Sequence, residues 1–302
     1  MTTKNRAAID LGSNSVLLTV ISETGEVLHD EARVVGLGRG IGDSGYIHPD
    51  RMESAIAALI DYAEIAERFG IENRNVQAFA TSASRRAKNS DQFYKRVEAE
   101  AGLRFTIISG EEEARLTYIG AIGGIVNNQE PVAVIDLGGG STEVVQGVGP
   151  ELQSGVSLEL GSTRLTEDFL GHGVTEPDRY KDMVSRISQL VSSLSVTSTP
   201  EVVICVAGTA TTLAAISLGL TAWDPLRVHG SVMSRAALQG LIVRLKEASK
   251  SERRLIAAVS PDRADSLLAG ATVIDLLLGK LGVESTVISV RGLRFGLLSE
   301  SR

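Results

Sequence analysis

The chain has one cysteine, one tryptophan and only four histidines in 302 residues. A lone thiol, Cys205, excludes an intramolecular disulfide and suits a reducing compartment. His29, His48, His172 and His229 are scattered and lack zinc-site spacing. Positive charge is also scarce: 30 lysines and arginines face 37 acidic residues, a net charge of −7. That balance argues against broad nucleic-acid binding, so a polyanionic ligand must be met by a local basic pocket or a metal ion. The opening residues, MTTKNRAAID, hold no apolar signal core. One uncharged stretch, Val202 to Trp223, is interrupted by Gly208, Thr209, Thr211, Thr212 and Ser217. A spanning helix needs about 20 predominantly apolar residues, so a buried strand, a turn and a buried helix are expected there instead. Together these absences predict a cytoplasmic protein with no membrane or nucleic-acid partner.

Glycine is the residue present in excess, at 31 of 302, clustered at 36–45, 138–140 and 292–296. Clustering of that kind marks turns lined by backbone. Around them, strands and helices alternate. Arg6–Leu11 and Val16–Ile21 read as strands, with a third near Val27 after the turn Ser22–Glu26. Met52, Ile56, Leu59, Ile60 and Ala63 recur at the spacing of a helix face within 49–69. A strand at 76–80, a helix at 91–101, a strand at 105–108 and a helix from Ser109 to about Gly123 follow. After the Asn127-Asn128-Gln129 break the pattern restarts with strands at 132–136 and 141–146. Helices are expected near 162–170, 177–195, 209–218, 234–248 and 263–281, with strands at 202–206 and 286–290 and a closing helix. The length favours two domains, here 1–122 and 123–302, with the last helix, about 291–302, packing back on the first lobe.

An internal repeat organises this pattern. Ala8-Ile9-Asp10-Leu11-Gly12-Ser13-Asn14-Ser15 aligns without a gap on Val134-Ile135-Asp136-Leu137-Gly138-Gly139-Gly140-Ser141. Each copy opens a lobe, which predicts an α/β protein of two similar lobes with its ligand in a cleft at their junction. A strand ending in Asp and followed by small residues turns sharply and leaves N–H groups pointing one way, a nest for phosphate oxygens. A tight hairpin without a ligand would use the same residues, and the repetition is what favours the nest. Asp10 and Asp136 are too acidic to touch phosphate unaided; they suit holding Mg²⁺, through water, or orienting a nucleophile. Glu143 lies on the strand after the second turn, on the opposite face from Thr142 and Val144. It is either a solvent-facing strand residue or a metal or water contact.

The run Ser109-Gly110-Glu111-Glu112-Glu113-Ala114-Arg115 separates three glutamates by role. Ser109 and Glu112 fit a capping box, and Glu111 and Arg115 fit an i,i+4 ion pair. Glu113 has neither task and is a candidate general base for water, against the alternative that all three complement the helix dipole. Thr81-Ser82-Ala83-Ser84-Arg85-Arg86-Ala87-Lys88 sets hydroxyls and cations at the end of a strand, which suits oxyanion binding. Arg33 and Arg39 are weaker candidates.

With these residues assembled, the chain resembles the exopolyphosphatase/guanosine pentaphosphate phosphatase (Ppx/GppA) family of the actin-like and sugar-kinase superfamily, in its short two-domain form. The matching segments are AIDLGSNSV at 8–16, TSASRRA at 81–87, ISGEEEARL at 108–116 and VIDLGGGSTEVV at 134–145. GTATTLAAI at 208–216, ADSLLAGATVI at 264–274 and GLRFGLL at 292–298 follow in order. The resemblance implies two ribonuclease-H-like lobes, Mg²⁺ (or Mn²⁺), and release of orthophosphate from polyphosphate or guanosine pentaphosphate. It casts Glu113 as the water-activating base, with Asp136 and Glu143 organising metal and water and Asp10 nearby. Arg85, Gly12, Ser13, Asn14, Gly138, Gly139, Gly140 and Ser141 match phosphate-binding positions, and a homodimer is in keeping with the family. The extra C-terminal domains of longer members are not in this sequence, so shorter polyphosphate chains are the expected substrate. Ala207 stands where the family often has glycine, and Phe295 where an acidic residue is usual. A sugar-kinase-like phosphotransferase or ATPase would need a nucleoside pocket and an acceptor hydroxyl. A non-catalytic alarmone sensor would bind without releasing phosphate.

Overall fold

The computed structural model describes residues 5–126, 129–171, 175–256 and 260–300. His172 and the Asn127-Asn128 part of the expected break lie outside them. Two compact units divide the chain: one holds residues 1–120 and 293–302, the other 121–292.

In the first unit, β1 (Arg6–Leu11), β2 (Ser15–Ile21) and β3 (Val27–Val34) form an antiparallel meander, and β4 (Gln77–Ala80) and β5 (Phe105–Ile107) add in parallel on the other side of β1. The strand order is β3-β2-β1-β4-β5. Alternation along β1 sends its residues to two cores. Ala7, Ile9 and Leu11 pack with Leu59 and Tyr62 of the helix Pro49–Arg68 and with Phe93 and Val97 of the helix Ser90–Ala101. Ala8, two residues from Asp10 on the same face, packs with Leu116, Leu293, Leu297 and Leu298. Burying each leucine or isoleucine of these cores contributes roughly 1.5–3 kcal/mol.

That second core joins the helix Gly110–Ile122 to the terminal helix Leu293–Glu300. A Cβ on Gly296 would stand 2.0 Å from the Leu116 carbonyl oxygen, so only glycine permits this approach. Buried Arg294 fixes the terminal helix to the sheet, donating to the Leu18 carbonyl at 3.1 Å, Thr19 Oγ1 at 2.6 Å and Asp30 Oδ1 at 2.5 Å.

The second unit repeats the plan. β6 (Pro131–Leu137), β7 (Thr142–Val148) and β8 (Glu151–Leu158) form the meander; β9 (Val202–Val206) and β11 (Ser285–Ile288) add in parallel, and β10 (Val232–Ser234) closes the edge. The order is β10-β11-β9-β6-β7-β8. Even the irregularities repeat: a register shift falls at Val20/Ile21 between β2 and β3, and at Gln146/Gly147 between β7 and β8, the same positions of the repeat. Ala133, Ile135 and Leu137 pack with Leu267, Ala271 and Ile274 of the helix Leu267–Leu281 and with Met183 and Ile187 of the helix Pro177–Ser192. Cys205 lies within this core as a free thiol, and burial pushes its pKa up to about 12.

The uncharged stretch 202–223 begins as β9 and continues as the helix Ala207–Ser217. No helix among the described residues is long and apolar enough to cross a membrane. The structure departs from the expected pattern at several points. β8 and β10 were not anticipated, nor was the helix Lys250–Ile256. The helix expected at 263–281 begins at Leu267, after a 3₁₀ turn at Pro261–Arg263. The helix expected at 162–170 is one α-turn, Ser162–Leu165, followed by a π-turn, Thr166–Leu170. The Ser109 hydroxyl does cap Glu112 N–H at 3.1 Å, but the Glu112 carboxylate turns to Arg115 at 2.8 Å and not back to the helix start. Arg115 therefore pairs with Glu112 and with Glu300 of the terminal helix, and the expected Glu111 partner is displaced.

Candidate functional site

Each Asp-turn is closed by the same hydrogen bond. Gly12 N–H donates to the Ser15 carbonyl at 2.9 Å, and Gly138 N–H to the Ser141 carbonyl at 3.0 Å. Neighbouring carbonyls are then held from behind. In the first unit the Ser13 carbonyl accepts from Gly38 N–H at 2.7 Å, and the Asn14 carbonyl from Val35 and Gly36. In the second, the Gly138 carbonyl accepts from Ser162 N–H at 3.0 Å and the Gly139 carbonyl from Thr163 and Arg164. A trans peptide points its N–H opposite to its C=O. Tying back Ser13 C=O thus turns out the Asn14 amide, and tying back Gly138 and Gly139 turns out the amides of Gly139 and Gly140. Among the described residues, the Ser13, Asn14, Gly139 and Gly140 amides donate to no protein acceptor. Unspent amides aimed one way form an anion nest.

The residues behind the turns must be small. A Cβ on Gly161 would lie 2.2 Å from the Gly139 oxygen, and one on Gly38 would lie 2.9 Å from Ser13 Cβ. Neither support is legible in the sequence, because Gly38 and Gly161 each back a turn that lies more than 20 residues earlier in the chain.

The carboxylates distinguish the two copies. Asp136 sits directly across the β6–β7 ladder from Glu143, whereas Asp10 faces Leu17 in the matching register. Like charges set opposite each other in a sheet are destabilising, so the second copy carries an acidic pair that folding alone does not require. Glu143 is buried, and its Oε1 accepts from Ser141 Oγ at 2.8 Å and Ser157 Oγ at 2.7 Å. Ser141, assigned above to the phosphate turn, thus holds the carboxylate beside that turn. Asp10 has a buried Oδ1 with no hydrogen-bond partner among the described residues. Burial pushes its pKa up to about 6, and the Arg294 charge opposes that rise.

No group of three or more His, Cys, Asp or Glu side chains among the described residues is arranged to hold a metal ion. Mg²⁺ does not need one, because it takes one or two carboxylates and fills its other positions with water and substrate phosphate. The orphaned oxygen of Asp10 and the all-oxygen pair Asp136 and Glu143 are donors of that hard type.

The third element is an ion pair within the first unit. Arg85, at the end of the helix Ser82–Arg86, reaches the start of the helix Gly110–Ile122 and donates from Nη1 to Glu113 Oε2 at 2.8 Å. The same Nη1 donates to the Ile108 carbonyl at 2.8 Å. The two residues assigned separately as base and phosphate ligand are therefore in contact. Arg33, by contrast, pairs with Glu31 and Asp61 and lies over the Tyr62 ring. After β9, Ala207 opens its helix at φ 68°, the only left-handed non-glycine residue among those described. This is the position noted above as often glycine, and the backbone conformation explains that preference.

The Ppx/GppA phosphatase family model matches residues 19–302, and the chain belongs to that family. The chain is 33% identical to exopolyphosphatase 2 of Mycobacterium tuberculosis over 96% of both proteins. The crystal structure of the Aquifex aeolicus Ppx/GppA family member superposes with a TM-score of 0.84 at 31% identity, covering 99% of this chain and 97% of that one. An exopolyphosphatase from Cytophaga hutchinsonii has the same fold, with a TM-score of 0.89 at 24% identity over 99% and 97% of the chains. The two-unit architecture is thus the ribonuclease-H-like one of this family.

Proposed function

We propose that the chain is an exopolyphosphatase, removing the terminal phosphate of inorganic polyphosphate by attack of water. The observation that carries this reading is the acidic pair Asp136 and Glu143 at the foot of a turn with unspent amides. A turn that only bound phosphate would be weakened by two carboxylates, while one that bound a metal–phosphate complex would be strengthened. The 33% identity to a protein named exopolyphosphatase supports the substrate class.

In this reading Glu113 takes the proton from the attacking water, and Arg85 grips the terminal phosphate. The amides of Ser13, Asn14, Gly139 and Gly140 hold phosphate oxygens and stabilise charge as it develops. Asp136 and Glu143 would hold Mg²⁺ or Mn²⁺, which supplies charge neutralisation on the phosphate chain; Asp10 in the first unit has a buried oxygen of the same hard type.

Glu113→Gln is expected to retain fold and orthophosphate binding while lowering kcat by about 10²–10⁴-fold. Near-normal phosphate release from this variant would remove Glu113 from the role. Parallel steady-state assays with short polyphosphate, long polyphosphate, guanosine pentaphosphate and ATP identify the substrate. Higher kcat/KM for guanosine pentaphosphate would reverse the order of the first three, and selective ATP turnover would move the chain toward the phosphotransferase class.

A further inference from the structure

Arginine has five N–H donors on a rigid plane, and its two edges can serve two partners at once. In this chain the Nη1 group of Arg85 is committed on both hydrogens, to Glu113 Oε2 and to the Ile108 carbonyl, each at 2.8 Å. The Ile108 tie is itself anchored, since Ile108 N–H donates to the Ala80 carbonyl at 3.0 Å, at the end of β4. Among the described residues the opposite edge, Nε and Nη2, donates to no protein atom. The Arg85 side chain keeps 30% of its surface exposed and that of Glu113 17%, so the pair is reachable without being loose. Gly110, the first residue of the helix, lies beside the guanidinium: a Cβ there would stand 3.8 Å from Nη2, in ordinary contact.

We propose that Arg85 is a positioning residue for the base as well as a phosphate ligand, holding Glu113 with Nη1 while its Nε–Nη2 edge takes two oxygens of the terminal phosphate. One rigid plane then sets the distance from the carboxylate to the phosphorus, and water is activated only where the phosphate is already gripped. The ion pair is not broken by substrate; it is the ruler along which substrate is placed. The inference rests on the reading of Glu113 as the base.

Lysine keeps the charge but has no second edge, so Arg85→Lys separates gripping from positioning. In the otherwise unchanged enzyme, kcat on short polyphosphate is expected to fall about 10²-fold, the scale of a misplacement near 1 Å, while KM and the inhibition constant of orthophosphate rise less than about tenfold. In a Glu113→Gln background, where no base is left to position, the same substitution is expected to lower the residual kcat by less than about tenfold, the share of the phosphate contact alone, while KM rises as it does in the otherwise unchanged enzyme. Thermal melts of all four proteins establish that they are folded. The proposal is overturned if Arg85→Lys raises KM alone in the unchanged enzyme, or if it lowers kcat equally in both backgrounds, which would make Arg85 a phosphate ligand only. If Glu113→Gln itself keeps full kcat, the base reading fails first, whatever Arg85 does.

Discussion

At the scale of single residues, the site holds its functional groups at a cost in stability. Asp10 is the clearest case, a carboxylate with an orphaned buried oxygen and a pKa pushed up to about 6 from 3.8. Because the folded protein holds this proton more tightly than the unfolded chain, stability is highest below pH 3.8 as far as this group is concerned, and declines as pH rises from there through about 6. At neutral pH the loss is on the order of 3 kcal/mol at most. In metal-free protein, Asp10→Asn should therefore raise Tm at pH 7.5, with the difference from wild type shrinking toward pH 4. A pH-independent difference would show that ionisation of Asp10 is not what costs stability. Ala207 costs stability through the backbone: at φ 68° it sits in the left-handed region, a penalty of about 1–2 kcal/mol for a residue with a Cβ. Glycine relieves that strain but adds about 0.4–1 kcal/mol of unfolded-chain entropy. Ala207→Gly is accordingly expected to stabilise by about 0.5–1 kcal/mol, read as a rise of a few degrees in Tm; an unchanged or lower Tm would mean that the helix start accommodates alanine without strain.

At the scale of elements, legibility in the sequence followed local determination. The Asp-Leu-Gly turns could be read because their chemistry lies within eight consecutive residues and occurs twice. The strand at 202–206 and the helix after it could be read because burial leaves a continuous apolar signature. β8 could not, because it is an edge strand with mostly exposed residues, defined by its ladder with β7. The three glutamates at 111–113 were only half legible. The Ser109 cap is local, but the partner of Arg115 is Glu300, brought in by the terminal helix. The Arg85–Glu113 contact was invisible for the same reason, since 28 residues separate its partners. The support behind the second Asp-turn is likewise tertiary, and it yields a sharp test of the proposed phosphate site. Gly161→Ala would drive a Cβ to 2.2 Å from the Gly139 oxygen and force the turn forward. Affinity for orthophosphate should drop at least about tenfold, equivalent to losing roughly one or two charge-assisted hydrogen bonds. Gly240→Ala, in a helix with open space around it, should leave affinity unchanged and serves as the control. Equal binding by both variants would mean that the turn tolerates displacement.

At the scale of the whole molecule, the chain's end belongs to the unit built by its beginning. The first unit therefore cannot complete its second core until residues 293–300 are present, because Leu293, Leu297 and Leu298 supply the cover for Ala8 and Ile21. Arg294 is the link between this cover and the meander, with three hydrogen bonds into β2 and β3. Arg294 is 6% exposed, and its removal strands the Asp30 carboxylate without its cation. Breaking a buried pair from one side costs about 3–5 kcal/mol; Asp30 keeps a quarter of its side chain in solvent, which lowers the expectation to about 2–3 kcal/mol. Arg294→Ala should lower stability by that amount, and hydrogen exchange should place the loss of protection first in β1, β2 and β3. Arg294 also lies close enough to Asp10 to oppose its raised pKa, so the same variant should push the Asp10 pKa further up. Loss of protection beginning in β6 or β9 would instead show that the terminal helix stabilises the second unit, and would overturn the assignment of Arg294 as the anchor of the first.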